Sequence, residues 1–291
     1  MIDFSIPAAV FSVPGSTLFF LAALGIIWWC LNKKAASKIG AAYIISGAVF
    51  FIVRFSVQSL RPYELGLVQE PSEFIKWMSK GSSMPSLHLL TVTCLAVGLF
   101  LNTRNIILKA ASVLAVLVTA ASRFYLGMGS LWDIAVGFAI GLTVSVLVNV
   151  FVNRTMIDKA HNLTLSLLLL LPHVVLICLA VSMYRYADLS YDNLTAYINS
   201  FGVYLGLIIS WCAEAAFINF SVKTDRSWKQ LVKAVIGCGI LLVMGAGFPA
   251  ALYFIAPSFG YSQAICLFAA VILAFLIFPV FIRKKFQRSY S

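Results

Sequence analysis

Charge is what this sequence has least of. Of its 291 residues, 21 are basic and 10 acidic, 11% together. Soluble domains carry roughly 25% charged residues, so a water-soluble enzyme or binding module is excluded. Histidine is nearly absent, with only His88, His161 and His173. The six cysteines (Cys30, Cys94, Cys178, Cys212, Cys238 and Cys266) fall in or at the edge of apolar stretches, none at metal-ligand spacing. That argues against a zinc module or a disulfide scaffold and for small apolar packing residues. The first apolar stretch, Phe4 to Leu31, lacks a basic leading region and a small-residue cleavage site. It reads as a retained span and not as a signal peptide. There is no internal repeat, no low-complexity tract and no basic soluble segment, so the net charge of +11 does not point to nucleic acid.

What fills the sequence is apolar residues. They make up 62% of the chain, with a mean hydropathy of +0.97. They come in runs of about 20, the length a helix needs to cross a bilayer core. The expected fold is all-α, a polytopic transmembrane bundle of about nine spans. These run roughly Thr17–Leu31, Ile39–Leu60, Pro85–Leu101, Ile106–Ser122, Leu131–Val152, Leu163–Met183, Ala196–Phe220, Leu231–Ile255 and Ala264–Ile282.

The basic residues orient the bundle. Lys33, Lys34, Lys38, Arg104, Lys109, Arg154, Lys159, Lys223, Arg226, Lys229, Lys233, Arg283, Lys284, Lys285 and Arg288 belong to one set of loops. The other set and its span ends hold Arg54, Arg61, Lys76, Lys80, Arg123 and Arg185. Fifteen against six accounts for all 21 and makes the first set cytoplasmic. The amino terminus is then outside and the carboxyl terminus inside. Compact loops suggest a bacterial inner membrane.

The longest polar segment, Arg61 to Met84, is expected on the outer side, with Trp77 and Met78 suited to a short interfacial helix. A polar loop at His161-Asn162 divides the chain. Residues 1–160 hold five spans and most polar intramembrane residues, and residues 161–291 form a four-span module. Gly137-x3-Gly141 permits close helix approach.

Three polar clusters fall on one expected membrane face: Arg54-x6-Arg61-Pro62, then Pro85-Ser86-Leu87-His88, then Ser122-Arg123 with Asp133 ten residues on. A seven-residue step is almost two helical turns, which puts Arg54 and Arg61 on one helix face. Three arginines offer forked, charge-assisted hydrogen bonds to phosphate oxygens. Pro85 suits a first helical turn, whose unbonded N–H groups add an anion site. Ser86 and Ser122 are further donors, and His88 is a candidate general acid. Arg54, inside the bilayer boundary, is a functional candidate by default. The arginines supply the positive charge, and Asp133 alone is a plausible ligand nearby, so neither a metal nor another cofactor is implied.

These clusters resemble the type-2 phosphatidic acid phosphatase superfamily, whose pattern is K-x6-R-P, then P-S-G-H, then S-R-x5-H-x3-D. Tyr125-Leu126-Gly127 also suits that family, and the resemblance covers about Arg54 to Gly141. It implies that Arg54, Arg61, Ser86, Ser122 and Arg123 bind phosphate and that His88 protonates the leaving oxygen. There are three departures. Arg54 replaces lysine, Leu87 replaces glycine, and Gly129 stands where the family carries the histidine that attacks phosphorus. Glycine has no nucleophile. Asp133, which the resemblance assigns to orienting that histidine, lacks its partner.

Plainer roles stand beside these. Ser130-Leu131-Trp132-Asp133 is a capping-box pattern. Arg61 and Arg123 suit interfacial anchors, and Ser86 and His88 suit helix-start residues. His173, beside Pro172, reads as a structural histidine at a kink, and His161 as a loop residue. Glu214 has two readings, pairing with a basic inner residue or proton coupling.

Two functions follow. The first is a binding or transport protein that holds a lipid phosphate or pyrophosphate headgroup, undecaprenyl pyrophosphate among the candidates, at the outer face without phosphohistidine chemistry. The alternative is an active lipid phosphatase or pyrophosphatase using a non-standard mechanism. Gly129 favours the first. A purely structural membrane subunit leaves Arg54 and Arg123 unexplained.

Overall fold

The structure, a computed structural model, describes residues 5–68, 70–72, 81–151, 159–222, 227–255 and 262–286. Trp77 and Met78, with Glu73, Lys76, Lys80, Arg154, Lys223, Arg226 and Arg288, lie outside the described residues. All regular secondary structure among the described residues is helical.

A short helix α1 (Ser5–Ser12) and a 3₁₀ turn (Val13–Gly15) lead into α2 (Thr17–Leu31). Then come α3 (Lys33–Val57), α4 (Leu87–Asn102), α5 (Ile106–Tyr125), α6 (Leu131–Phe151) and α7 (Lys159–Tyr186). Helix α8 (Tyr191–Ile218) follows. Helix α9 runs through Ser227–Leu242, Val243–Gly247 and Phe248–Ile255. Helix α10 runs through Ser262–Ile272, Leu273–Ile277 and Phe278–Phe286.

Each of the nine apolar stretches read from the sequence is therefore helical. Seven of these helices are long and apolar enough to cross a membrane by themselves: α3, α5, α6, α7, α8, α9 and α10. An eighth candidate is the segment Pro7–Gly15 with Thr17–Leu31, bent by 53°. Helix α4 is apolar but has 16 residues. At 1.5 Å per residue that is about 24 Å, short of a hydrocarbon core of about 30 Å. The chain is an integral membrane protein of the all-α class.

Local sequence explains several helix boundaries. Asn105 caps α5, its side-chain oxygen accepting from the N–H groups of Ile107 at 2.9 Å and Leu108 at 3.4 Å. Ser130 and Asp133 form the capping box of α6. The Ser130 N–H donates to Asp133 Oδ2 at 2.5 Å, and the Asp133 N–H donates to Ser130 Oγ at 3.3 Å. That satisfies two otherwise unbonded amides at the helix start.

The chain divides into two compact units. The first comprises Met1–Phe20, Ala42–Val150 and Val175–Tyr197. Within it, Phe51 and Phe55 pack edge-on against Tyr197, with centroids 4.6 and 5.6 Å apart. Helices α4 and α6 meet where glycine lets them. A β-carbon at Gly137 would collide with the Ser86 carbonyl, and one at Gly141 would come within 3.0 Å of the Leu90 carbonyl and of Thr93 Cβ. The Gly137-x3-Gly141 step thus seats the start of α4 directly on α6.

The second unit comprises Leu21–Ala41, Phe151–Val174 and Ile198–Ser291. Its core is Trp29, whose Nε1 donates to the Ala274 carbonyl at 3.1 Å and whose ring meets Phe275 and Phe278. Glu214 pairs with Lys33 at 2.6 Å, which is the basic-partner reading of that residue. Lys233 corrects the loop assignment: it lies in α9, fully buried, and donates to the Trp29 and Val222 carbonyls at 2.9 and 3.0 Å. The carbonyl partners let a charged lysine tolerate burial. His173 is buried beside Pro172, with its ring 4.5 Å from that of Tyr204.

Candidate functional site

The three sequence clusters converge in the first unit, around the carboxyl ends of α3 and α5 and the amino ends of α4 and α6. Arg54 occupies the last turn of α3. It is buried, donates through Nη2 to the Pro85 carbonyl at 3.2 Å, and lies 4.6 Å from the Phe50 ring centre. The ring face favours a cation there.

Arg61 reaches the same place by a different route from the one its spacing suggests. Helix α3 ends at Val57, and the backbone turns through a left-handed Gln58, φ 44°. Arg61 is therefore not two helical turns beyond Arg54 but in the loop that follows. Its Nε and Nη2 donate to the Gly81 carbonyl at 3.1 and 2.9 Å, and its Nη1 donates to the Met128 carbonyl at 2.7 Å. A guanidinium has five N–H groups, so two are left without a partner among the described residues. Burial lowers the Arg61 pKa from its ordinary value, while Tyr63, Glu64, Asp133 and Asp192 act against that shift. An arginine so placed still carries its charge at neutral pH.

Arg123 is buried in the last turn of α5. His88 is buried in the first turn of α4, within electrostatic reach of Arg123, Arg61 and Arg54 together. Arg123 also feels the charges of Arg61 and Arg54. Three guanidiniums from three separate elements thus act electrostatically on one imidazole at a helix amino terminus. The first-turn amides of α4 point the same way by helix geometry. Ser86 is the N-cap residue, but its hydroxyl makes no capping bond, and its N–H donates to the Asp133 carbonyl at 2.9 Å.

Two sequence-predicted residues carry structural bonds. Ser122 Oγ donates to the Ala8 carbonyl at 2.5 Å, so its proton is committed to α1. The same amino-terminal segment places Gly15 against His88, where a β-carbon would stand 2.7 Å from His88 Cβ. Asp133 has its Oδ2 filled by Ser83 Oγ and by the Ser130 N–H, both at 2.5 Å.

Gly129 stands open. A β-carbon built there would lie 3.6 Å from Asp133 Cβ and 3.7 Å from Asp133 Oδ2, ordinary contact distances, and its backbone is not in the left-handed region. Gly127, two residues earlier, is the opposite case. Its φ is +63°, and a β-carbon would collide with Val68. The fold needs glycine at 127 and does not need it at 129.

Four positions contribute that the motifs did not mark: the Gly81 carbonyl on Arg61, Ser83 on Asp133, the Ala8 carbonyl on Ser122, and Asn193, which bonds Ser82. Gly81-Ser82-Ser83, directly before Pro85-Ser86, is a small-residue run that marks a loop. Nothing local in the sequence marks Ala8 or Asn193. Among the described residues no cluster of three or more His, Cys, Asp or Glu side chains has the arrangement to hold a metal ion.

No curated protein and no solved structure matches the chain. Residues 35–157 match the family model described as the PAP2 superfamily. That segment contains all three motifs, and it is a PAP2-superfamily segment, similar to the type-2 phosphatidic acid phosphatases and their relatives.

Proposed function

We propose that this membrane protein binds the phosphate or pyrophosphate headgroup of a lipid without hydrolysing it, as a lipid-phosphate binding or transport protein on a phosphatase scaffold. The observation that supports the reading is three buried arginines, Arg54, Arg61 and Arg123, in one compact unit and all within electrostatic reach of buried His88 at the start of α4, with a glycine at 129. Three buried guanidiniums repel one another, and an anion between them relieves the repulsion. Only one buried carboxylate, Asp133, is near them among the described residues, and it is bonded to Ser83 and Ser130.

In this reading the anion receives its bonds from Arg54, Arg61, Arg123, the Ser86 hydroxyl and the first-turn amides of α4. Ser122 joins them only by exchanging its bond to Ala8. In this reading α2 and the short α4 count as spans with the seven longer helices, and the site lies at the outer face, periplasmic in a bacterial inner membrane, with the amino terminus outside. Residues 1–160 form the phosphatase-like core and residues 161–291 an added four-span module for translocation or partner contacts. Undecaprenyl pyrophosphate and phosphatidic acid are the candidate lipids.

The second reading is an active lipid phosphatase. Its support is His88 itself, buried within reach of all three arginines. Water would attack phosphorus directly and pass its proton to His88, which would hand it to the lipid oxygen as the P–O bond to the lipid breaks, with the arginines stabilising the added charge.

Purified protein incubated with phosphatidic acid and with undecaprenyl pyrophosphate separates the two. Binding without phosphate release is expected. Release by the wild type that disappears in His88→Ala overturns the binder reading in favour of the enzyme.

A further inference from the structure

We propose that Asn193 is a positioning residue of the anion site, acting through residues 81–83 on Arg61. The proposal rests on the anion-binding reading above. Asn193 opens α8, outside the segment that matches the family model.

Its side chain is buried, 1% exposed. The Oδ1 accepts from the Ser82 N–H at 2.8 Å, and Nδ2 donates to Ser82 Oγ at 2.7 Å. An asparagine at a helix start more often spends its side chain on its own first turn. Here both halves of the amide go to a loop 111 residues away in sequence. Gly81 is pressed into that contact. Its φ is +83°, and a β-carbon would come within 2.8 Å of Asn193 Oδ1 and 3.2 Å of Arg54 Nη1. Only glycine takes that backbone conformation without strain.

The consequence falls on the site. The Gly81 carbonyl is the acceptor for two of the three Arg61 side-chain bonds. Ser83, two residues on, bonds Asp133. Residues 83 and 84 are also tied to Ser59, through Ser83 N–H to the Ser59 carbonyl at 2.9 Å and Met84 N–H to Ser59 Oγ at 3.0 Å. The loop therefore has a second anchor on its far side. What Asn193 adds is the position of Gly81, and with it the direction in which the two remaining Arg61 N–H groups point.

The test is a double-mutant cycle on anion affinity, using full-length protein in nanodiscs. Dioleoyl phosphatidic acid is one probe and inorganic phosphate the other; binding of the lipid alone marks the site as a headgroup site, and binding of both marks it as a general phosphate site. Asn193→Ala is expected to weaken binding about 10-fold, the effect of one misplaced charged hydrogen-bonding group. In an Arg61→Lys background, which keeps the charge but not the fork, the same change is expected to cost less than about 2-fold. Asn199→Ala, on the same helix but bonded to Gln263, is expected to leave affinity unchanged.

Equal losses in both backgrounds, or no loss in the wild-type background, overturn the proposal, because a merely structural role is indifferent to Arg61. If Asn193→Ala does not fold, Ser82→Ala removes one of the two bonds and is read by the same criterion. Wild-type protein that binds neither probe overturns the anion-binding reading, and this inference with it, before the cycle begins.

Discussion

Gly129→His tests most directly what the site retains. The structure says that the substitution fits. The new β-carbon has ordinary contacts at 3.6 and 3.7 Å, both to Asp133, and the backbone there is not left-handed. Replacing such a glycine restricts the unfolded chain and stabilises by about 0.4–1 kcal/mol, or costs little. The introduced imidazole starts one bond from hydrogen-bonding reach of Asp133. Oδ2 of that carboxylate already has two partners, and Oδ1 is left to orient the ring. If the arginines and His88 form a working phosphate site, the imidazole nitrogen attacks phosphorus. A P–N bond forms as the P–O bond to the lipid breaks, and the leaving oxygen takes a proton from His88. Nucleophile deletions in other enzymes cost up to about 10⁶-fold in rate, so even a poorly aligned nucleophile is expected to raise phosphate release by on the order of 10³-fold. The assay is phosphate release from phosphatidic acid, with trapping of an acid-labile, alkali-stable phosphoenzyme. Adding His88→Ala is expected to abolish the gain. A folded Gly129→His protein that binds the lipid as the wild type does, and still releases no phosphate, would refute the claim that the remaining catalytic geometry is intact.

Four other outcomes are expected. Arg123→Ala weakens phosphatidic acid binding by about 1.5–3 kcal/mol, the range for charged hydrogen bonds, while Lys109→Ala, which stacks over Phe100 at the opposite end of α5, changes it little; titration in nanodiscs measures both. Gly137→Ala drives a β-carbon into the Ser86 carbonyl and lowers stability by about 1–3 kcal/mol, whereas Gly239→Ala, with nothing within 4 Å, gains about 0.5–1 kcal/mol of helix propensity. Their thermal unfolding temperatures should move in opposite directions. Glu214→Gln leaves the Lys33 ammonium without its carboxylate and costs about 3 kcal/mol, and the double variant with Lys33→Met recovers part of the loss; denaturation of the two variants checks this. For topology, Leu65→Cys, in the exposed turn after α3, reacts with an impermeant maleimide in intact cells, and Arg104→Cys, between α4 and α5, reacts only after permeabilisation. The reverse pattern would invert the proposed orientation.

The positions of the helices were legible because a bilayer imposes a simple rule: a span must be apolar and about 20 residues long, and its backbone bonds must close within itself. That rule located the seven helices long and apolar enough to cross by themselves without any knowledge of their neighbours, while α4 and the bent stretch that includes α2 fall short of it. The capping box at Ser130 and Asp133 and the glycine step at 137 and 141 were legible for the same reason, since each depends on neighbours a few residues away. The three motifs named buried polar side chains that the fold gathers into one compact unit, with three arginines in electrostatic reach of His88.

Other features depended on distant parts of the chain. Helical spacing predicted a shared face for Arg54 and Arg61. The chain instead leaves the helix at Gln58, and carbonyls from Gly81 and Met128 collect Arg61. Ser122 read as a phosphate donor until α1 supplied the Ala8 carbonyl, and Lys233 read as a loop residue until two carbonyls enclosed it. Sequence alone determined the class of the protein and the chemical types at its site. Tertiary structure decided which hydrogen bonds those groups spend on one another and which they keep. Local pattern fixes what a residue is able to donate or accept, and only the folded chain fixes what lies opposite it.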